Sequence, residues 1–219
     1  MKYFLIFASV LLLTFPVFAQ NQDIELDLNE VSFNLFSVKE RQVVKGGQRF
    51  YPYFFQGVSY KRRFGTKNFI RSSFNYFQKL DEVKSTDTES KGNFSEIEFG
   101  VGYQRVFLNK WIKPYLAADL KILWGHSDQE NDDHVIPSFE KFELNDFGMG
   151  VSPVIGVLLR TPTPLSVAFE ASFDFLMVWQ EGTRYFWEPD IVPVQENVKE
   201  SGYVTRLNPV AGIFITLEF

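Results

Sequence analysis

The chain has 219 residues, a formal net charge of −5 and no cysteine. This length suits one domain, and the acidic balance argues against the clustered basic face of a nucleic-acid-binding protein, so no nucleic-acid partner is expected. Without cysteine the chain has neither disulfides nor the lipid anchor of a lipoprotein.

The first 19 residues predict a secretory signal peptide. Lys2 supplies a positive n-region, residues 3–15 (YFLIFASVLLLTF) form a short apolar h-region, and Ala19 ends a cleavage site before Gln20. Such a segment is too short and wrongly flanked for a membrane-spanning helix. The predicted organisation is therefore a signal peptide over residues 1–19 and one mature domain over residues 20–219.

Eight segments of the mature chain alternate apolar and polar residues with a period of two, which predicts β-strands. Residues 20–28 show a weaker alternation and are left unassigned. The eight segments are residues 29–38, 50–64, 68–80, 93–107, 111–124, 142–160, 165–179 and 203–219.

The connections between these segments alternate between long and short. Long polar stretches over residues 39–49, 81–92, 125–141 and 180–202 predict loops, and residues 65–67, 108–110 and 161–163 predict tight turns. Pro153 and Pro209 cannot donate to a strand ladder, so we expect each at a β-bulge or near a strand end.

The last strand has the clearest alternation, and it ends the chain on an aromatic residue. One face carries Ala211, Ile213, Ile215, Leu217 and Phe219, and the other carries Gly212, Phe214, Thr216 and Glu218. A period of two in which the two faces differ this much indicates a strand between two different environments.

Composition and residue placement indicate which face meets lipid. Aromatic residues make up 17% of the chain, yet its mean hydropathy is −0.10, as expected where each lipid-facing residue is followed by a small or polar one. The polar face is rich in glycine, which relieves crowding in a narrow interior. Large aromatics lie near the strand ends, where interfacial girdles are expected: Tyr60, Tyr103, Trp111, Trp124, Trp179 and Phe219.

With its terminal Phe219 and the alternation before it, the chain resembles the small eight-stranded outer-membrane β-barrel proteins of Gram-negative bacteria, and we expect the Bacteroidota type. The resemblance implies an all-β fold, an eight-stranded antiparallel up-and-down transmembrane β-barrel, with both termini in the periplasm and the long loops outside. It also implies an insertion signal for the barrel-assembly machinery, formed by Ile213, Ile215, Leu217 and Phe219.

The polar face of the predicted strands carries both acids and bases. An eight-stranded barrel is just wide enough for side chains to fill it, and buried charges are normally paired. We therefore expect a packed polar network in the lumen, and the alternative is a narrow ion or solute pore gated by those pairs. The predicted network is Glu30, Lys61, Arg71, Glu96, Glu98, Asp119, Lys121, Glu170, Asp174 and Arg206.

An enzymatic alternative depends on His126 and Ser127 at the outer rim, which would form an acyl-transfer site as in outer-membrane lipid A deacylases. Adjacent residues on a strand point to opposite faces, so this site requires a bend. Asp132, Asp133 and His134 resemble the acid and histidine pairs of omptin-type proteases only weakly, and they make a poor metal site. No catalytic residue, metal or cofactor is therefore predicted.

The longest predicted loop contains an aromatic cluster, Tyr185, Phe186 and Trp187. An exposed aromatic cluster rimmed by charges is a candidate contact for a protein or glycan partner, and the alternative is that it caps the barrel. The sequence thus predicts a non-enzymatic barrel in outer-membrane lipid, a structural component or loop-presenting scaffold, alone or as a subunit of a larger assembly. The rival from another class is a surface-lipid hydrolase.

Overall fold

A computed structural model describes residues 29–43, 47–84, 88–107, 111–133, 138–161, 163–188 and 191–219. The predicted signal peptide, the leader over residues 20–28 and His134 lie outside the described residues.

Eight antiparallel strands form a closed barrel in which each strand pairs with its neighbour in sequence and β8 pairs with β1. This confirms the predicted fold class, an all-β up-and-down barrel. The strands are β1 (Asn29–Val43), β2 (Gly47–Phe64), β3 (Asn68–Lys84), β4 (Thr88–Val106), β5 (Ile112–Asp133), β6 (Ser138–Arg160), β7 (Leu165–Glu188) and β8 (Ile191–Glu218). No helix among the described residues is long and apolar enough to cross a bilayer.

The strands close the ring at the end of the barrel that carries the short turns. Asn29 and Phe219 exchange two backbone hydrogen bonds of 3.0 Å, and pairing of β1 with β8 continues up to Val38 and Val210. At the same end, Gly65 adopts a φ of 75° in the turn between β2 and β3, a conformation that glycine takes without steric cost.

The predicted long loops are wrong over most of their length, because the strands continue through them. Residues 125–133 extend β5, residues 138–141 extend β6, residues 180–188 extend β7 and residues 191–202 extend β8. Both faces of these extensions are polar or mixed, so they lack the apolar alternation that marks a half-buried strand. The shorter predicted loops over residues 39–49 and 81–92 are likewise mostly strand. We call the parts of β5–β8 over residues 125–133, 138–146, 180–188 and 191–202 the wall.

The two prolines differ in their surroundings. Pro209 lies in a β-bulge, as predicted. Asn208 and Gly212 of β8 pair with Ser172 and Glu170 of β7, so three residues of β8 lie opposite a single residue of β7. Pro153 does not lie at a bulge: it pairs with Ala118 of β5, and the β6–β7 register is the same on either side of it. Pro153 is exposed on the outer face in the middle of β6.

A second irregularity joins β1 to β2. The register between them shifts after Asn34, and opposite this point Phe55 has a positive φ of 52° and an exposed side chain. An aromatic residue in this left-handed region is uncommon and strained. The bulge reverses which residues of β1 point inward, so that Ser32 and Asn34 are followed by Ser37 and Lys39 in the interior.

Two seams open above the closed part of the barrel. Among the described residues, β1–β8 pairing ends at Val38 and Val210, and β2–β3 pairing ends at Gly57 and Asn75. At the first seam the backbone N–H of Leu207 donates to Oε2 of Glu40 at 2.6 Å. Above these points, the described part of the hairpin formed by β1 and β2 has no backbone pairing with β3 or β8, and side chains such as Lys39 and Glu40 connect it to the rest of the barrel.

The interior tolerates little extra volume at Gly150. A Cβ at this position would lie 1.9 Å from the backbone oxygen of Phe175, whereas a Cβ at Gly202 of the wall would meet nothing within 4 Å. We predict that Gly150→Val destabilises the barrel by about 1–3 kcal/mol through overpacking, and that Gly202→Val does not. The temperature at which the folded form is lost in gel-shift electrophoresis measures both, and equal midpoints for the two variants would contradict the close packing.

Candidate functional site

All ten residues of the predicted polar network lie on the inward face of the barrel. Eight of them are buried, and the side chains of Lys121 and Arg206 are 13% and 16% exposed. They occupy successive levels along the barrel axis, because inward residues on each strand recur at every second position. We describe these levels from the turn end upward.

Near the turns, Glu218 lies beside basic residues, and Glu30 is the register partner of Lys61 on β2. Glu218 accepts a hydrogen bond from Ser166 at 3.0 Å, and its carboxylate lies 2.9 Å from Arg160 and 3.9 Å from Lys113. An apolar cluster fills the lumen in the same region. Its members are Phe69, Val106, Tyr115, Leu158, Ala168 and Phe214.

Glu170 is the centre of the next level. Arg71 donates two hydrogen bonds of 2.9 Å to its carboxylate, Tyr115 donates one of 2.7 Å, and Lys61 lies 3.9 Å away. Arg71 also lies 3.3 Å from Asp119. Bidentate pairing of a guanidinium with a carboxylate is the strongest common ion-pair geometry, and here it joins β3 to β7 across the lumen.

Above it, Asp174 receives three donors. Lys121 donates at 2.8 Å, Ser152 at 2.6 Å and Asn208 at 2.9 Å, so β5, β6 and β8 all bind one carboxylate of β7. Asp174 is fully buried, and hydrogen bonds to a buried carboxylate offset the cost of removing it from water.

The upper level joins Lys39 to the two glutamates of β4. Lys39 contacts Glu96 at 2.9 Å and also Glu98, while Arg206 lies 3.0 Å from the other oxygen of Glu96. The ammonium of Lys39 lies 3.7 Å from the ring centroid of Phe77. Lys39 is absent from the predicted network because residues 39–49 were predicted as a loop, and the irregularity after Asn34 also shifts the inward positions of β1 by one residue.

Together the levels form a filled interior. Each ion pair named above joins strands that are not neighbours, and large apolar side chains (Leu123 and Leu176) are fully buried between the levels. The arrangement ties opposite sides of the barrel to each other. Breaking one buried pair leaves an uncompensated charge and costs about 3–5 kcal/mol.

The structure does not bring together the residues of the enzymatic alternative. His126 is exposed on the outer face and its ring Nδ1 lies 3.0 Å from Oδ1 of Asn145, whereas Ser127 is buried on the inner face. In the part of the chain that the structure describes, no group of three or more His, Cys, Asp or Glu side chains is placed to hold a metal ion.

Tyr185, Phe186 and Trp187 do not form one exposed loop cluster, because they lie on β7 within the wall. Tyr185 and Trp187 share its outer face with Phe139 and Lys141 of β6, while Phe186 is on the other face of the strand and less exposed. These residues line a depression of about 590 Å³ that also includes Glu143, Val194 and Gln195.

A charge cluster adjoins this depression. Lys141 lies 3.1 Å from Glu143, 3.3 Å from Glu130 and 3.8 Å from Asp128. The hydrogen bonds that Lys141 makes to Glu143 and Glu130 raise the pKa of its ammonium group. The wall therefore presents aromatic rings next to three carboxylates on its outer surface.

The residues of the predicted insertion signal lie on the outer face of β8. Ile215, Leu217 and Phe219 are exposed and Ile213 is half-buried, while Gly212, Phe214, Thr216 and Glu218 between them are buried inside.

Comparison with known proteins found no matching family model and no matching curated protein. Solved structures that resemble the chain include Ail, the attachment invasion locus protein of Yersinia pestis, at 12% identity and a TM-score of 0.43, over 88% of this chain and 99% of that one. A major outer membrane protein from Thermus thermophilus matches at 10% identity and a TM-score of 0.49, over 87% and 99%. The outer membrane protease OmpT from Escherichia coli matches at 10% identity and a TM-score of 0.33, over 91% and 99%.

The Glu170 level gives a direct test of the ion-pair network. We predict that Glu170→Gln lowers the free energy of unfolding by about 3 kcal/mol, because Arg71 and Lys61 lose their shared counter-charge in the interior. Glu181→Gln on the exposed face of the wall is the matched control and should change it by less than about 0.5 kcal/mol. Urea unfolding in detergent micelles measures both, and equal effects would show that the buried pair contributes no stability.

Proposed function

We propose that the protein is an integral outer-membrane barrel without enzymatic activity, whose filled lumen is structural and whose wall is a scaffold for contacts outside the cell. The observation that carries this proposal is the distribution of side chains. Charged residues are buried inside the ring, and large apolar residues cover its outside, the reverse of a water-soluble barrel.

The outer surface supports a lipid-facing role in detail. Along β5, Leu116, Leu120 and Ile122 are exposed between Trp111 near the turns and Trp124 near the wall. About 9–11 residues of a tilted strand suffice to span a bilayer. At the upper level, aromatic rings contact one another across neighbouring strands from Phe99 to Trp124, Phe147 and Trp179. Such rings are typical of the membrane interface.

The backbone supports the same proposal. In hydrocarbon every unpaired amide costs several kcal/mol, so a spanning sheet must close on itself. Among the described residues the ring closes from the turn end up to Val210 of β8, and the seam between β1 and β8 begins at the level of Ala171 and continues towards the wall. We therefore assign the turns and both termini to the periplasm and the wall to the outside. The assignment to the Bacteroidota type stays a prediction from the sequence.

Three kinds of partner follow from this proposal. Outer-membrane lipid surrounds the closed part of the barrel, and the barrel-assembly machinery recognises the terminal strand with Ile213, Ile215, Leu217 and Phe219. A protein or glycan partner contacts the wall, where Tyr185 and Trp187 are exposed beside the Lys141 cluster. No nucleic acid is expected to bind a chain with this net charge.

Introducing a charged residue on the outer face tests whether that face contacts lipid or water. Ile155 is 62% exposed in the middle of β6, so arginine there costs little in water but about 2–4 kcal/mol at the bilayer midplane. We predict that Ile155→Arg lowers stability in lipid vesicles by this amount, while Val194→Arg on the wall has little effect. Urea unfolding in vesicles measures both variants, and an unchanged Ile155→Arg protein would overturn the membrane assignment.

A filled lumen predicts that the barrel does not conduct. We expect no steady conductance of the purified protein in planar bilayers, because Lys39, Arg71 and Lys121 each pair with carboxylates across the interior. A steady conductance of the wild-type protein that changes with Lys121→Ala or Glu98→Ala would instead support the pore alternative.

A further inference from the structure

Side chains on the outer face of the wall form rows, because directly paired residues of neighbouring strands point to the same side of a sheet. The depression described above spans three of these rows. Aromatic rings and carboxylates therefore lie side by side on one face. The row towards the strand tips is Asp132, Phe139 and Trp187, the central row is Glu130, Lys141, Tyr185 and Gln195, and the row towards the turn end is Asp128, Glu143 and Thr183.

The carboxylates in these rows outnumber the cation that they share. Asp128 lies directly opposite Glu143, and like charges in this position destabilise a strand pair. Lys141 contacts both of these carboxylates and also that of Glu130. One positive charge therefore faces three negative charges, and an excess of two negative charges remains beside the depression.

The exposure of these side chains shows which charges a partner can reach. The side chains of Glu130 and Glu143 are 44% and 46% exposed, whereas that of Lys141 is 27% exposed. The carboxylates thus keep open surface, while they partly cover the ammonium group between them. An anionic ligand would meet the carboxylates before the ammonium group, so the charge distribution favours a cationic ligand.

The rings beside these carboxylates favour the same class of ligand. Tyr185 and Trp187 are 36% and 40% exposed, and both line the depression together with Glu143. The face of an aromatic ring is electrostatically negative and attracts ammonium and guanidinium groups. Tyr185 and Glu143 are diagonal neighbours, because Tyr185 pairs with Lys141 and Glu143 follows Lys141 by two residues. Diagonal neighbours on adjacent strands lie about 7–8 Å apart, within reach of one long side chain.

Arginine fits both parts of this arrangement. Its planar guanidinium stacks on an aromatic ring and donates paired hydrogen bonds to a carboxylate, whereas the ammonium group of lysine is a compact, strongly hydrated charge. A neutral sugar would also stack on the rings, but the excess of negative charge does not attract it. The combination of rings and carboxylates therefore favours a basic protein segment over a glycan.

We propose that the depression on the outer face of the wall is a docking site for an arginine-containing segment of a partner protein. The guanidinium of that segment lies between the ring of Tyr185 and the carboxylate of Glu143, and Trp187 contacts the aliphatic part of the same segment. This inference rests on the proposed function, since it requires the wall to stand outside the membrane.

A matched pair of charge variants tests the site. The probe is a labelled peptide of alternating glycine and arginine, and it is added to protein in phosphatidylcholine vesicles, which carry no net charge. Freeze–thaw cycles give the probe access to both sides of the membrane, and flotation measures the bound peptide. We expect Glu143→Gln to weaken binding about fivefold, because a charge-assisted hydrogen bond is lost.

The control for this variant is Glu181→Gln, which removes the same charge from the same exposed face. Glu181 lies one row further from the depression than Glu143 and opposite Lys199, so its loss should change the affinity by less than about twofold. Equal weakening by the two variants would show that the peptide responds only to net charge and would overturn the proposal.

The ring of Tyr185 is tested in the same assay. Tyr185→Phe keeps the ring and should bind the peptide as the wild-type protein does, whereas Tyr185→Leu keeps only an apolar side chain and should bind about threefold more weakly. Equal affinities of these two variants would exclude stacking on this ring and overturn the proposal.

The remaining outcomes separate this inference from the function on which it rests. A labelled neutral oligosaccharide that binds more tightly than the peptide, with an affinity unchanged by Glu143→Gln, would identify a glycan site and overturn the proposal. Protein that floats with the vesicles but retains no peptide would contradict the docking site alone. Protein that fails to float would contradict the proposed function itself.

Discussion

Closure of the backbone ladder is the constraint on which the rest of the structure depends. Asn29 and Phe219, at the two ends of the described chain, bond to each other, so the sheet is closed at the end that carries the short turns. A sheet that must be closed and narrow has room for little besides side chains in its interior. Side chains from strands that are not neighbours can therefore reach each other across the lumen, where acidic and basic side chains form ion pairs.

The interior charges also explain the inverted distribution of residues. A water-soluble barrel of this size would bury its phenylalanines and leave its glutamates outside. Here Arg71, Glu170 and Asp174 are inside and are bound by hydrogen bonds from several strands, whereas Phe99 and Trp124 lie outside. Burying these charges costs desolvation free energy, but the hydrogen bonds and ion pairs give the polar core a well-defined geometry.

Much of the closed barrel could be predicted from the period-two alternation, because each strand separates an apolar outer face from a crowded polar interior. The same signal disappears in the wall, because the residues on both of its faces are polar or mixed, so the strands there were predicted as loops. The partners of Glu170 could not be predicted either. Alternation shows that Arg71 and Glu170 both point inward, but the stagger of the strands decides that they meet. Lys39 was missed because it was predicted in the loop over residues 39–49, and because an irregularity in β1 reverses which of its residues point inward.

The cross-lumen pairs have a consequence for how the chain matures. Arg71 and Glu170 are 99 residues apart, and Lys39 and Glu96 are 57 apart, so neither pair exists until remote segments have been brought together. A half-assembled sheet in lipid would hold isolated ions as well as unsatisfied amides, and both are penalised heavily. For the proposed membrane barrel, isolated charges and unpaired amides both destabilise intermediates in which only some strands are inserted, and all eight strands are expected to insert together.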